Sequence, residues 1–206
     1  MAKSLEDLLP KLYLHSCKNG NADCVAAALR AGLDLNTKDS EGFTGLMLAL
    51  LQNRDNVVGL LLEREDIDIN STKCTNSHGL KLTPLLVAID VSSVACLRLL
   101  LTEESLDPNI PGDHDTGAES PLLLAVDNDA VQIVQLLLDS PRSAPYVGVQ
   151  NPQIDMAPLT PLMNAVKMNK EAIVKILLVD PRVDLYTTLT ESLRTKKGNF
   201  VNIIDS

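Results

Sequence analysis

The one compact grouping of histidine with carboxylates in this sequence is Asp113-His114-Asp115. Such a triplet could in principle offer a general base, or one nitrogen and two carboxylates to a cation. It directly follows Pro111-Gly112 in a stretch of turn-forming residues, where a rigid site is hard to build, so it reads as a solvated loop tip. Cys17, Cys24, Cys74 and Cys96 show neither a C-x-x-C pair nor metal-ligand spacing, and His15 has no second His or Cys at ligand spacing. The cysteines read as reduced, small apolar residues of a cytosolic or nuclear protein. There is no phosphate-binding loop, dinucleotide fingerprint, zinc-protease helix or nucleophile elbow. Asp66 and Asp68 read as turn residues. The expectation is a non-enzyme with no catalytic residue, no metal and no cofactor.

Composition narrows the class further. Hydrophobic residues make up 45% of the 206 residues but aromatics only 2%, which suits layers of Leu, Ile, Val and Ala, not an aromatic-lined pocket. The formal charge of −9 argues against nucleic acid as a partner, since phosphate binding needs clustered Lys and Arg. No apolar run approaches the ~20 residues of a membrane span, and MAKSLEDLLP has no secretory pattern. The expectation is a cytoplasmic monomer, the nucleus being the other compartment, that engages neither membrane nor nucleic acid.

What the chain does contain is one 19-residue block written four times without a gap: Thr44–Leu62, Thr83–Leu101, Ser120–Leu138 and Thr160–Leu178. A hydroxyl residue opens each block, Leu follows two positions on, Ala five positions on, and an aliphatic triplet closes it. Recurrence at a period near forty residues predicts a repeat array. Thr83-Pro84, Ser120-Pro121 and Thr160-Pro161 pair an N-cap hydroxyl with a proline at the first helical position, where its missing N–H costs nothing. A polar pair then suits a tight turn: Asn53-Arg54, Ser92-Ser93, Asn128-Asp129 and Asn169-Lys170. A second, broadly apolar helix follows. Helices this short are marginal alone, so stability must come from stacking pair on pair. A charge at Leu99 or Ala125 is therefore expected to unravel its neighbours.

The blocks resemble the ankyrin repeat, whose motif T-P-L-H-x-A precedes a V-V-x-L-L-L helix. Ala31-Gly32-Leu33-Asp34-Leu35-Asn36 resembles that family's G-A-D-V-N join, and Asp39, Gly42 and Thr44 fall where its D-x-x-G-x-T would. The resemblance covers roughly residues 11 to 186. Two departures stand out: the family's helix-opening His is Met47, Leu86, Leu123 and Met163 here, and Gly45 replaces Pro in the first block. The polar caps that His would satisfy need other partners.

The resemblance implies an all-α solenoid of stacked helix-turn-helix pairs with β-hairpin-like finger loops. The expected organisation is a single domain over 1–206: a divergent N-terminal repeat at 11–40, repeats at 41–74, 75–115, 116–156 and 157–186, and a C-terminal cap at 187–206. Ser4-Leu5-Glu6-Asp7 reads as a capping box opening a short helix that Pro10 bends or ends. Lys11, His15, Lys18 and Asn19 give the first unit a polar end face. The second, third and fourth joins carry insertions of six, four and seven residues relative to the first. At the far end, Thr188–Glu191 would cap a helix over Leu189–Lys197, and Phe200–Ile204 would begin another, cut short if the chain is a piece of a longer protein.

The family implies a protein-binding scaffold that meets its partner at finger tips and adjoining first helices. The residues just before each cap, Phe43, Leu82, Glu119 and Leu159, are then the natural contacts, with Lys38, Glu41, Lys81, Asp113, Asp115, Asn169 and Lys170 around them. That strip suits a partner segment mixing basic and apolar residues. The alternative is that Phe43, Leu82 and Leu159 pack between successive fingers. A second function class is the recruiting arm of a larger regulatory protein, such as a ubiquitin-ligase adaptor or a signalling or transcription inhibitor. Asn70, directly after Asp68-Ile69 and eight residues after Leu62, is similar to ankyrin asparagines that an oxygen-sensing hydroxylase modifies. Asn36 and Asn109 resemble them less. Otherwise each Asn simply closes a turn.

Overall fold

The computed structural model describes residues 5–71, 74–75, 81–110, 120–142 and 160–183. The chain divides into two compact units, Met1–Asp107 and Pro108–Ser206. The described residues of the first unit form α1 (Leu5–Asn19), α2 (Ala22–Arg30), α3 (Gly45–Leu51), α4 (Asp55–Leu62), β1 (Cys74–Thr75), β2 (Lys81–Leu82), α5 (Pro84–Asp90) and α6 (Val94–Thr102). Those of the second form α7 (Pro121–Asp127), α8 (Val131–Asp139), α9 (Pro161–Lys167) and α10 (Glu171–Val179). Ten described helices make five pairs, an all-α repeat solenoid. The hairpin of the second join is short and antiparallel, with Cys74 opposite Leu82 and Thr75 opposite Lys81.

Each opening hydroxyl caps its helix. Thr44, Thr83, Ser120 and Thr160 accept from the N–H groups of Met47, Leu86, Leu123 and Met163 at 3.2–3.3 Å. The N–H of the residue at the family's His position is thus satisfied by the opener itself. This frees that side chain to be apolar, and Met47 and Leu86 are fully buried.

Within the first unit α1 packs on α3 and α3 on α5, while α2 packs on α4 and α4 on α6. Leu46, Met47, Ala49 and Leu50 of α3, Val57, Val58 and Leu61 of α4, and Leu85, Ala88 and Ile89 of α5 are closed to water, as are Leu97 and Leu100 of α6. The second unit repeats this arrangement with α7 on α9 and α8 on α10. Ala125 and Ala165 are fully buried there beside Ile133, Val134, Ile173 and Leu177. Leu99 is a correction: it is half-buried, its Cδ1 lying 4.0 Å from where a Cβ on Gly59 would stand, and the closed positions of its helix are Leu97 and Leu100.

Pro10 does not end the first helix, the second of its two expected effects: α1 runs from Leu5 to Asn19 through it. Proline conflicts with the carbonyl four residues earlier. Here that carbonyl belongs to Glu6, in the first turn, where few hydrogen bonds have yet formed and the backbone can tilt. The outer face of α1 is also less polar than expected, because Leu8 and Leu12 stand exposed on it.

Gly45 has a steric cause. The Tyr13 ring of α1 lies over it, and a Cβ there would come within 2.5–2.8 Å of Tyr13 Oη, Cζ and Cε1. Tyr13 is 1% exposed, and its hydroxyl donates to the Leu35 carbonyl at 3.0 Å. Proline, the family's residue, would collide with that ring.

Candidate functional site

The tip of the first join is built around Asp39. Its Oδ1 accepts from the N–H groups of Glu41 and Phe43, both at 2.9 Å, and its own N–H donates to the Phe43 carbonyl at 3.0 Å. Gly42 closes the turn at φ 91°, a left-handed value that favours glycine. A single bridge pairs Lys38 with Thr44. This turn carries Phe43 inward, to 7% exposure, so an exposed anchor at Phe43 is corrected to a core residue. Lys38 and Glu41 stand in solvent at the same tip.

Of the other expected contacts, Lys81 and Leu82 form β2. Asn169 is exposed, at φ 57° in the turn between α9 and α10. Lys170 is half-buried, and its ammonium donates to the carbonyls of Val126 at 2.6 Å and Asp127 at 2.8 Å. A cation on the last carbonyls of α7 satisfies orphan acceptors and favours the negative end of the helix dipole. Beside it, the Asn164 amide donates to the Asp127 carboxylate. Glu119, Leu159, Asp113 and Asp115, the Asp113-His114-Asp115 triplet, and the capping segments Thr188–Glu191, Leu189–Lys197 and Phe200–Ile204 lie outside the described residues.

Lys170 belongs to a series that the sequence reading did not separate from the turns. The turn residue in the left-handed region is Asn53, Ser92, Asp129 or Asn169, with φ between 52° and 57°. The next residue caps the second helix from Arg54, Ser93, Ala130 or Lys170. In the third block the turn therefore sits one residue later than the Asn128-Asp129 pair suggested, because Asp129 adopts the left-handed conformation and Ala130 the cap. Arg54 Nε donates to the Lys18 carbonyl at 3.3 Å, and the Ser93 hydroxyl donates to Asn53 Oδ1. Each of these side chains reaches back to the preceding pair.

A second series crosses the opposite ends of the helix pairs. Asn36 Nδ2 donates to the Asp66 carbonyl at 2.8 Å, and Asn36 Oδ1 accepts from the Asp68 N–H at 2.8 Å. Asn70 does the same one pair later, with Ser105 at 2.6 Å and Asp107 at 2.9 Å. Asn109 Nδ2 reaches the Arg142 carbonyl at 2.8 Å. The turn itself is closed by the Asp two residues earlier, since Asp34 and Asp68 accept from the N–H groups of Asn36 and Asn70. The asparagines are joints between repeats, not turn closers. Three D-x-N triplets, Asp34-Leu35-Asn36, Asp68-Ile69-Asn70 and Asp107-Pro108-Asn109, are the sequence signal that could have revealed them.

At the end of α10, Arg182 donates to the Leu138 and Ser140 carbonyls and pairs with Asp180 at 2.7 Å. Those guanidinium hydrogen bonds hold the Asp180 carboxyl below its ordinary range. Burial pushes the Cys17 thiol up to about 12 and raises Cys96 and Tyr13 as well. A thiol so raised is not nucleophilic at neutral pH. Among the described residues no group of three His, Cys, Asp or Glu side chains could hold a metal ion, and no helix is long and apolar enough to cross a membrane.

Residues 10–73 match the family model described as ankyrin repeats, in three copies. The chain is 26% identical over 140 residues to tyrosine-protein kinase HTK16 of Hydra vulgaris, covering 65% of this chain and 17% of that protein. It is 27% identical over 160 residues to Rabankyrin-5 of Homo sapiens, covering 78% of this chain and 13% of that one. To the ankyrin repeat protein YahD of Escherichia coli (strain K12) it is 27% identical over 176 residues, covering 82% of this chain and 79% of the relative. The chain thus spans less than a fifth of the first two relatives. The match identifies residues 10–73 as ankyrin repeats, and over most of its length the chain is similar to an ankyrin repeat protein.

Proposed function

We propose that this chain is a non-catalytic scaffold that binds a partner protein along its finger tips and first helices. The observation that carries the reading is the division of labour among its polar side chains. Asn36, Asn70, Arg54 and Lys170 are engaged across joints between repeats, whereas Lys38, Glu41 and Asn169 face solvent at tips and turns. A solenoid offers such residues as an extended surface, with no reaction centre needed. With Phe43 in the core, Lys38 and Glu41 are the first tip's contacts. Lys81, Leu82, Glu119, Leu159, Asp113 and Asp115 complete the proposed strip, which suits a segment mixing basic and apolar residues. The test is cross-linking of the full chain to a panel of such peptides. Contacts at Lys38, lost in a Lys38→Glu, Glu41→Lys variant that melts like wild type, are expected. Cross-links confined to the outward faces of α4 and α6 would refute the proposal.

A second reading, a recruiting arm of a larger protein, is favoured by one observation: two of the relatives are several times longer than the aligned repeats. Hydroxylation at Asn70 is proposed as a modification of the same chain. Asn36 makes the same kind of joint, but Ala28 stands where Leu62 precedes Asn70, so Asn70 is the better target. Mass spectrometry of peptides from cells containing an Asn hydroxylase should show added oxygen at Asn70. Unmodified Asn70 under those conditions rejects the idea.

A further inference from the structure

Asn19 and Gly20 form the one Asn-Gly pair of the sequence. An asparagine amide carbon can be attacked by the backbone nitrogen of the residue that follows, which makes asparagine chemically labile. The attack depends on how closely that nitrogen can approach, and glycine, with no Cβ, obstructs it least. Asn19 is exposed at the last position of α1, and Gly20 follows in the left-handed region at φ 78°. In the later pairs the left-handed position is held by Asn53, Ser92, Asp129 and Asn169, each with a Cβ in the way. Asn128 is the matched comparison, exposed at the end of α7 but followed by Asp129.

The closed turn keeps the reacting atoms apart. The Asn21 N–H donates to the Ser16 carbonyl at 2.9 Å and the Gly20 N–H to the Cys17 carbonyl at 3.3 Å, the two bonds of a Schellman cap. The second occupies the nitrogen that would attack, at a length beyond the usual range for such a bond. The Asn19 amide is drawn back along α1, with Nδ2 2.8 Å from His15 Nε2. The next pair clamps the turn from outside: Arg54 Nε donates to the Lys18 carbonyl and Asn56 Nδ2 to the Gly20 carbonyl, both at 3.3 Å. Asn19 and Asn56 are exposed and Arg54 is half-buried, so this clamp belongs to the part of the fold that opens most readily.

We propose that Asn19 is a site of spontaneous deamidation whose rate is set by opening of this turn. Once the turn opens, the Gly20 nitrogen gives up its proton and bonds to Asn19 Cγ. The Cγ–Nδ2 bond breaks, and the amide nitrogen takes up that proton and leaves as ammonia. Water then opens the cyclic imide at either carbonyl, leaving aspartate or isoaspartate. Either product hinders closure: aspartate sets a negative charge at the negative end of α1, and isoaspartate lengthens the backbone where the cap must close. The change runs one way and loosens the first helix pair from the second.

Incubation of the full chain in neutral buffer, followed by peptide mass spectrometry with electron-transfer fragmentation to separate isoaspartate from aspartate, tests it. Wild type, Asn56→Ala, an Arg54→Ala, Asn56→Ala double variant and the chain unfolded in urea are compared. Conversion at Asn19 should be fastest in urea. The double variant should convert about fivefold faster than wild type, because two hydrogen bonds that close the turn are gone. Asn56→Ala alone, at an exposed position, should show a smaller increase in the same direction. Hydrogen exchange at the Asn21 amide should rise in step, while α5 and α6 keep their protection. Asn128 should lag behind Asn19 in every sample. Equal conversion at Asn19 and Asn128 in the folded chain would overturn the proposal. So would a wild type that converts as fast as the chain in urea, or clamp variants that convert no faster than wild type.

Discussion

Asn70→Ala removes a joint while leaving the hydrophobic layers untouched. The wild-type amide donates to the Ser105 carbonyl at 2.6 Å and accepts from the Asp107 N–H at 2.9 Å. A neutral intramolecular hydrogen bond contributes about 1 kcal/mol net. Losing both costs about 2 kcal/mol, and the half-buried position, which water can reach, keeps the loss below the penalty for a sealed site. For a unit of this size that corresponds to a midpoint lower by about 8–16 °C in the transition of the first unit. Thermal and urea unfolding followed by far-ultraviolet circular dichroism measures it. Asn36→Ala, with both contacts at 2.8 Å, should cost the same. Asn19→Ala, which loses only an exposed bond to His15, should cost less than about 0.5 kcal/mol. Asn70→Asp sharpens the test: it keeps an acceptor for Asp107 but sets an oxygen against the Ser105 carbonyl, so it should destabilise at least as much as alanine. An Asn70→Ala chain melting within about 2 °C of wild type would show that the joint carries no stability.

Gly45→Pro, which restores the family's residue, should destabilise by about 1–3 kcal/mol in urea unfolding, because the Tyr13 ring occupies the space. Ser92→Gly should stabilise by about 0.5 kcal/mol, since φ 54° strains serine but not glycine. Asn53→Gly should destabilise, because Asn53 Oδ1 accepts from the Ser93 hydroxyl, so the two glycine variants move the midpoint in opposite directions. Leu100→Asp should abolish cooperative unfolding of the first unit, whereas Leu99→Asp, at a half-buried position, should only weaken it. Stability should fall as pH rises from about 9 towards 12. The folded state keeps Cys17 protonated up to about 12 while the unfolded chain ionises near 9, so the contribution present at neutral pH is lost on the alkaline side. Tyr13, also raised by burial, adds in the same direction, and Cys17→Ala should shift the alkaline midpoint upward.

The helix pairs were legible in the sequence because their causes are local. An opening hydroxyl, a proline at the first helical position and an aliphatic triplet each act within one turn; four copies repeat the hydroxyl and the triplet in register, and three of them the proline. The joints were not legible, because their partners lie 30 or more residues away, as with Asn36 and Asp66 or Lys170 and Val126. Asn at such a position looks like a turn residue until the next repeat is placed beside it. Phe43 was ambiguous for a related reason. An apolar residue before a cap can face out or in, and Asp39 decides it by drawing in the Phe43 N–H. Pro10 does not end its helix because the rule against proline inside helices weakens in the first turns.

Repeats within one chain do the work of an alignment. Positions that keep one residue type across the blocks are those the stack itself requires: the capping Thr or Ser, the buried Ala, and the Asn that bridges to the next repeat. Each has a contact that a different side chain could not make. Positions that change from block to block escape that demand. Gly59, Arg98, Gln135 and Lys175 occupy one such position, and Phe43, Leu82, Glu119 and Leu159 another. The second set varies in size and charge beside helix caps that do not vary. The stack sets no single residue type at those positions, so their variation is what relaxed packing allows. Phe43 is the informative exception, since the Asp39 turn has recruited it to the core and left Lys38 and Glu41 to face the solvent in its place.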